Sequence, residues 1–325
     1  MDFFAYSRTA LKHGLLSLGF LPGQKILVPN YICDALVQPI LQLDCEPVYY
    51  QLDSEFQPDW TILESRPDLS SCRAIIMVHF FGQPQNISRF QVFCQTHDLI
   101  LIEDNAHGFG GSVQGQLMGT FGDIGISSPR KILNTYTGGI LYIKGIPKLP
   151  KLMNRHKVFI LNRLLRAAFE KSGRLKIFAL RLTKGTPNFN NPLAFKEPTV
   201  NDKIADKHSS KTILKILKSN TLEEIARERR EKWEILDELV IDFGLKPVFK
   251  SLDPNSSPWV YPAYGSYDSR KKFVKLAIRK HVIPIPWPAL PRGQIRKDTS
   301  LKDRWKTLVC IPLSYDKKMI KSLKK

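Results

Sequence analysis

Several features that assign a chain to a familiar class are missing from these 325 residues. No apolar stretch approaches the roughly 20 residues that a membrane-spanning helix needs. The first residues, MDFFAYSRTALKHG, carry an acid at position 2 instead of the basic and then apolar pattern of a secretion signal. The five cysteines are scattered and lack the spacing of a metal site, so we expect reduced core thiols in a cytoplasmic protein. Zinc-finger spacing and RNP aromatics are also absent, which argues against nucleic acid as a partner.

Acidic residues are scarce relative to basic ones, with 30 Asp and Glu against 49 Lys and Arg and a formal net charge of +19. Much of the excess lies in a basic helical segment, residues 145–185, where Glu170 is the one acid. Such a charge suits an anionic small substrate, an anionic membrane surface or nothing more than a solvated lysine-rich face. The sequence leaves peripheral contact with an anionic membrane as one hypothesis for this segment.

What the chain does have is a regular alternation of apolar runs and helical patterns. The runs of strand length lie at residues 25–31, 46–53, 73–82, 98–104, 122–128 and 138–145. Helical periodicity separates several of them, beginning with residues 7–20, for which Ser7 or Thr9 is the expected cap. Strands that are apolar on both faces and alternate with helices predict an α/β protein with a mostly parallel sheet covered by helices. We predict a large domain over residues 1–215 and a small C-terminal α/β domain over residues 216–325.

One stretch, LIEDNAHGFGGSVQG at residues 101–115, places two acids, a histidine and several glycines directly behind an apolar run. A dinucleotide site is disfavoured, because G-x-G-G is not the required glycine spacing and the acids would repel a phosphate. A metal site would rest on Asp104 and His107, with His79 as the one plausible further ligand. A capping aspartate beside a hydrogen-bonded histidine is the plainest alternative.

A pyridoxal phosphate site accounts for more of the chain. The ring nitrogen of this cofactor must stay protonated, and Asp104, at the carboxyl end of a predicted strand, is placed to enforce that. The cofactor also needs a lysine for its Schiff base, a helix start with hydroxyl groups for its phosphate, and an aromatic ring for stacking. The sequence offers candidates for all three: Lys131, the SRTAL segment with Ser7 and Thr9, and Tyr31 after a strand.

These motifs, in this order, resemble those of the DegT-type sugar aminotransferases, a branch of the fold-type-I pyridoxal phosphate enzymes. SRTAL is similar to the family's S-G-T-x-A-L phosphate loop, and RAIIMVHFFGQPQNI to its V-H-x-x-G-x-P segment. LIEDNAHGFGG resembles I-E-D-x-A-H/Q, and GTFGDIGISSPRKIL with the later paired glycines resembles the segment that carries the family's lysine. The resemblance extends over nearly the whole chain. It implies a three-layer αβα large domain and a small α/β C-terminal domain.

The resemblance also implies a role for each matching residue. Lys131 would carry the cofactor as an aldimine and move the proton, Asp104 would hold the ring nitrogen protonated, and His107 would contact the ring hydroxyl. Tyr31 would stack on the ring. The phosphate would be bound by Ser128 and by the segment that contains Ser7, Thr9 and Ala10, with the last two offering their amides. Arg8 stands where the family has glycine, and its side chain could itself bind the phosphate. No metal is expected.

The reaction implied is transfer of an amino group from glutamate or glutamine to a keto-sugar linked to a nucleotide. Relatives that act as dehydratases replace the lysine by histidine, so Lys131 favours transamination. The resemblance further implies a homodimer. Two alternatives remain open on the sequence: a non-catalytic scaffold or sensor with the same fold, and a dehydratase that uses the same cofactor on a similar sugar.

Overall fold

A computed structural model describes residues 2–133, 135, 137–145, 222–291, 293, 294 and 298–324. The basic helical segment at residues 145–185 lies almost wholly outside the described residues, and so does the predicted boundary between residues 215 and 216. No described helix combines the length and apolar character that crossing a membrane requires.

Seven strands of the described residues form the main sheet, in the order β1-β9-β8-β5-β4-β2-β3. They are β1 (Asp2–Phe4), β2 (Lys25–Pro29), β3 (Glu46–Tyr50), β4 (Cys72–Val78), β5 (Ile100–Asn105), β8 (Ile124–Ser127) and β9 (Gly139–Ile143). Strands β3, β2, β4, β5 and β8 run parallel, and β9 is antiparallel to both of its neighbours. The short strands β6 (Ser112–Val113) and β7 (Gln116–Leu117) form a separate hairpin.

Helices connect the parallel strands and cover the sheet. The described helices are α1 (Ser7–Ser17), α2 (Asp34–Leu41), α3 (Trp60–Glu64), α4 (Ile87–His97), α5 (Pro129–Ile132), α6 (Leu222–Ile241), α7 (Tyr267–Arg279), α8 (Ser300–Thr307) and α9 (Lys317–Lys321). Local chemistry sets their ends: the Asn86 side chain accepts from the amide of Arg89 at the start of α4, and Asp98 ends that helix in the left-handed conformation.

The C-terminal part of the described chain builds a second, antiparallel sheet from β10 (Lys246–Pro247), β11 (Val260–Tyr264) and β12 (Leu308–Pro312). Its residues join those of the main sheet in one hydrophobic cluster, so the two sheets are not separated by solvent. Arg304 on α8 connects the two parts directly, because it donates to the carbonyl oxygens of Leu52 and Asp53 and lies over the Phe56 ring.

The predicted α/β architecture with a mostly parallel sheet is confirmed. Strands β4 and β5 are almost completely buried, as the uninterrupted apolar runs indicate for central parallel strands. The parallel register also decides where polar side chains meet. Asp104 lies beside Val78 on one side and Ile126 on the other, so the carboxyl ends of β4, β5 and β8 share one edge. In open α/β sheets ligands bind beyond this edge.

Candidate active site

A cavity of about 330 Å³ opens at the carboxyl edge of the main sheet. Its polar walls come from two groups of residues. Asp104, His107, Lys131 and Cys33 form one group, closed on one side by the Trp287 ring, and the second group lies around the start of α1. Among the described residues that line the cavity, Asp104 is the one acid.

The two acids of the IED segment have different tasks. Glu103 is fully buried on the far side of β5, where it accepts from His79 Nε2 at 2.9 Å and from the amides of Phe121 and Gly122 at 2.6 and 3.1 Å. Burial alone would raise the pKa of Glu103, but these hydrogen bonds outweigh it and hold the pKa below its ordinary value. Glu103 is therefore an ionised structural carboxylate, and it ties the loop after β7 to the sheet.

Asp104 faces the cavity instead. It is only 7% exposed, and its Oδ1 accepts from the amide of Ala106 at 2.7 Å. Burial raises the pKa of Asp104, and the nearby Lys131 ammonium and the Ala106 amide oppose that rise. A carboxylate in this position is stabilised by any cationic N–H group brought into the cavity.

His107 is held as a neutral ring of one tautomer. Its Nδ1 accepts from the amide of Phe81 at 3.1 Å, so the ring proton belongs on Nε2. Burial, together with the charge of Lys131, lowers the pKa of His107 well below its ordinary value. The Trp259 ring packs against it at 4.7 Å between centroids. A neutral Nε2–H is a hydrogen-bond donor, and an oxygen atom is the partner it suits.

Lys131 lies on the one-turn helix α5, which Pro129 begins at a position where a missing amide costs nothing. Its Nζ lies 4.5 Å from the centroid of the Trp259 ring. Burial lowers the pKa of Lys131 to about 8, although Cys33 and Asp104 pull in the opposite direction. A half-buried amine that gives up its proton near pH 8 is prepared to attack a carbonyl group.

This pKa predicts how fast the cofactor-free protein captures pyridoxal phosphate as the pH changes. Only the free amine reacts, so the rate should rise with pH and level off once Lys131 has lost its proton near its pKa of about 8. Stopped-flow absorbance from pH 6 to 10 measures the rate. Nα-acetyl-lysine, whose side-chain amine has an ordinary pKa near 10.4, serves as the control and corrects for ionisation of the cofactor itself. The protein's rate divided by the rate of this control should stay constant at low pH and fall above about pH 8. A ratio that stays constant up to pH 10 would contradict the lowered pKa of Lys131.

The second group of polar residues surrounds the first turn of α1. The expectation that Ser7 or Thr9 caps this helix is wrong, because Tyr6 is the N-cap and makes no side-chain capping bond. Ser7 and Arg8 line the cavity, whereas Thr9 and Ala10 are buried and do not. The Ala10 amide already donates to the Tyr6 carbonyl at 3.1 Å, which corrects its expected contact with a phosphate.

The paired glycines noted in the sequence let β9 approach this helix start. Gly138 has a φ of +152°, which a side chain rarely adopts. A Cβ on Gly139 would overlap the backbone of Tyr6 and Ser7, so glycine is needed for strand β9 to pass directly behind the first turn of α1. Ser128 lies in the same part of the cavity. It is 1% exposed, and its Oγ has no hydrogen-bond partner in the structure.

The structure does not bring Tyr31 to the cavity, which contradicts the expected stacking role. Strand β2 ends at Pro29, and the Tyr31 side chain turns into the core, against the rings of Phe56 and Trp287. Ile32 and Cys33 line the cavity in its place. Burial raises the pKa of the Cys33 thiol, and the nearby Lys131 opposes this.

Sequence reasoning also missed residues that reach the site from the C-terminal part of the chain. Trp287 lines the cavity, and Trp259 packs on both Lys131 and His107. Arg229 on α6, 5% exposed, holds them in place by donating to the carbonyl oxygens of Ile132 and Trp259 at 2.8 and 3.2 Å. No local sequence pattern predicts these contacts.

The metal alternative depended on His79 joining Asp104 and His107. His79 instead bonds Glu103 through Nε2 and accepts from the Gln85 amide through Nδ1, so both ring nitrogens are occupied. Within the described ranges, no group of three His, Cys, Asp or Glu side chains is arranged to hold a metal ion.

The residues present do fit pyridoxal phosphate. The unpartnered buried hydroxyl of Ser128 and the uncapped start of α1 suit a phosphate group. The Asp104 carboxylate suits a protonated ring nitrogen, and the His107 Nε2–H suits a ring oxygen. A lysine with a lowered pKa completes the donor set.

Comparison with solved structures defines the class of fold. The aminotransferase TlmJ from Streptoalloteichus hindustanus superposes with a TM-score of 0.67 over 98% of this chain and 82% of its own, at 17% identity. At that identity the likeness establishes the fold: it is that of the fold-type-I aminotransferases.

The sequence comparisons agree with this fold. Residues 7–166 match the sequence model of the DegT/DnrJ/EryC1/StrS aminotransferase family, so just under half of the chain is similar to that family. It is 31% identical over 134 residues to GDP-perosamine synthase from Vibrio cholerae, a match that covers 41% of this chain and 36% of that protein. It is also 31% identical over 145 residues to UDP-N-acetyl-3-dehydro-alpha-D-glucosamine 3-aminotransferase from Acidithiobacillus ferrooxidans, covering 44% and 39%. The matches thus span little more than a third of the length of these curated relatives.

Proposed function

We propose that this protein is a pyridoxal-phosphate-dependent aminotransferase that acts on a nucleotide-linked keto-sugar. The observation that carries the proposal is one juxtaposition in the cavity: an amine with a pKa of about 8, a buried carboxylate at a strand end and a neutral histidine with a fixed tautomer. When bound, pyridoxal phosphate would supply an electron sink for charge that develops at the substrate carbon.

Each side chain then has a distinct task. Asp104, stabilised as an anion by any cationic ring N–H beside it, would keep the ring nitrogen protonated. His107 would donate from Nε2 to the ring oxygen and so orient the ring. Ser128 and the first turn of α1 would bind the phosphate. Lys131 Nζ, which loses its proton near pH 8, would form the covalent link to the cofactor and later move the proton between the reacting carbon atoms.

The substrate class is inferred from the relatives and from charge. The names of the two curated relatives place them on GDP-linked and UDP-linked sugars. A chain of net charge +19 attracts a substrate that carries a diphosphate. Glutamate or glutamine would supply the amino group.

The proposal includes a cytoplasmic homodimer with a large domain at residues 1–215 and a small one at residues 216–325, supported by the resemblance. The proposal also includes contact of residues 145–185 with an anionic membrane, and the charge of these residues supports it.

The first experiment looks for the cofactor where it should be attached. The purified protein, or the protein reconstituted with pyridoxal phosphate, should absorb near visible light, and borohydride should leave the cofactor on Lys131 as a stable amine. Peptide mass spectrometry locates the adduct, and the 30 other lysines of the chain provide an internal control for nonspecific labelling. An adduct on another lysine would refute the site.

The second experiment separates the aminotransferase from its two rivals. The loaded protein is incubated with a panel of nucleotide-linked keto-sugars and glutamate or glutamine. An amino-sugar product with stoichiometric formation of the keto acid supports transamination. A deoxy product would assign the protein to the dehydratases. Absence of any product across the panel, from protein that carries the cofactor, would favour a scaffold or sensor.

A further inference from the structure

Two arginines that are far apart in the sequence meet in one corner of the cavity. The guanidinium carbon of Arg8, in the first turn of α1, lies 5.3 Å from the centroid of the Tyr6 ring. That of Arg130, on α5, lies 5.5 Å from the same centroid. All three residues line the cavity, so the ring acts as a shared platform for two cations.

Among the described residues, this corner of the cavity contains no acidic side chain, and some of its buried hydrogen-bond donors have no acceptor. Helix α1 has no acidic residue in its first turn, where one would normally be favourable. Asp104 is the one acid among the described residues that line the cavity, and it belongs to the other group of polar residues. The Nε of Arg8 and the Oγ of Ser128 are buried without a hydrogen-bond partner, and Ser128 is 1% exposed. Buried donors of this kind are costly unless an acceptor reaches them.

We propose that Arg8 and Arg130 form a pair that binds the phosphate group of the cofactor through direct ion pairs. The proposal rests on the proposed function. Where the related loop has glycine, the backbone can come close to a phosphate; here a guanidinium group at position 8 replaces that approach, and a second one comes from the residue before Lys131. A guanidinium fork matches two phosphate oxygens at once, which a lysine cannot do.

The same dianionic chemistry is found in the diphosphate of a sugar nucleotide, but the structure favours the cofactor. Arg130 is adjacent in sequence to Lys131, so a group that is covalently attached to Lys131 has its other charged end held within the same small cavity. Ser128, with its unpartnered hydroxyl, begins the same short helix as its N-cap. The arginine pair thus lies beside every other donor assigned to the cofactor's phosphate.

The test compares pyridoxal phosphate with pyridoxal, which differs only in lacking the phosphate. Cofactor-free wild type, Arg8→Gln, Arg130→Gln and the double variant are titrated with each ligand by absorbance. Each single substitution should weaken pyridoxal phosphate binding about 10- to 100-fold, the range for losing a hydrogen bond to a charged group, and leave pyridoxal binding within about twofold. Arg8→Lys and Arg130→Lys retain the positive charge without the guanidinium fork and should recover part of the lost affinity. Such a recovery would show that the glutamine variants do not lose binding through misfolding. Arg89→Ala is the matched control, because Arg89 also stacks on a ring, that of Trp60 at 4.5 Å, but does not line the cavity.

Two further measurements distinguish a failure of the arginine-pair proposal from a failure of the proposed function. Inorganic phosphate, read by its effect on the thermal unfolding of the cofactor-free protein, requires neither Lys131 nor a ring. If it stabilises the wild type and not the double variant, the arginine pair is supported even when borohydride traps nothing on Lys131. If it stabilises both equally, or if the ratio of pyridoxal phosphate to pyridoxal affinity is unchanged in the double variant, the pair is overturned even when the cofactor is found on Lys131. UDP binding to the loaded protein is the last arm: a loss there without a loss for pyridoxal phosphate would assign the arginines to the substrate and overturn the proposal.

Discussion

The Lys131→Ala protein is expected to bind no cofactor covalently and to lose amino transfer. The substitution removes the amine that forms the link and the group that carries the proton between carbon atoms. Loss of a proton-transfer group alone costs about 10²- to 10⁴-fold in rate, and loss of the nucleophile adds to it. Absorbance and borohydride labelling measure the loss of the covalent link, and amino-sugar formation measures the loss of transfer. All three signals should be lost together.

The fold should survive this change, because the charge of Lys131 in its site lowers the stability of the folded protein. Loss of solvent around the amine is the main cause that lowers the pKa of Lys131 to about 8, so at pH 7 the folded protein holds a partly desolvated charge that the unfolded chain would solvate fully. Alanine removes that charge from a short helix, and the unfolding temperature should stay equal or rise. Lys144→Ala is the control: Lys144 is exposed, donates to the Phe121 carbonyl and lies outside the cavity lining. A Lys131→Ala protein that still takes up cofactor on another lysine with near-normal turnover would show that the site is elsewhere.

How far the sequence could predict this site is clearest on strand β5. Its apolar run ended in two adjacent acids, and their topological position indicated that one of them meets a ligand. Adjacent residues on a strand point to opposite faces, so Glu103 and Asp104 could not share a task. Because all of β5 beyond Ile100 is buried, no apolar and polar alternation marked which face carried the cavity. The strand end favoured Asp104, and the structure places Asp104 in the cavity wall.

Tyr31 is a residue for which the prediction from the sequence was wrong. Beyond the end of a strand, the direction of each side chain depends on a few backbone angles that composition does not reveal. The aromatic residue was the natural choice for stacking, yet the chain turns so that Tyr31 enters the core and Cys33 reaches the cavity. Trp259 and Trp287 could not be predicted for another reason, since they come from a distant part of the chain and meet the site only through tertiary packing.

The Asp104→Asn protein should bind the cofactor and yet transfer amino groups slowly. Asparagine keeps the shape, and its amide oxygen can still accept from the Ala106 amide, a bond of 2.7 Å to Asp104 Oδ1 in the present structure. It loses the negative charge that would keep the ring nitrogen protonated. With that proton gone the electron sink fails, and we expect amino-sugar formation to fall by about 10²- to 10⁴-fold, as for other groups that control a proton.

A second readout, the pKa of Lys131, tests whether the charge and not the shape is responsible. The Asp104 carboxylate is one of the groups that raise the pKa of Lys131 against the effect of burial. Removing its charge should lower that pKa below about 8, so the pH at which the rate of cofactor capture levels off should move to a lower value. A shape effect would not produce this shift. Asp123→Asn is the matched control: Asp123 accepts from the Leu101 amide at 2.8 Å, at the opposite edge of the sheet, and the same substitution there should leave both the turnover and the pH profile unchanged. Near-normal turnover in Asp104→Asn, together with an unshifted profile, would remove Asp104 from the chemistry and leave it as a structural strand-end residue.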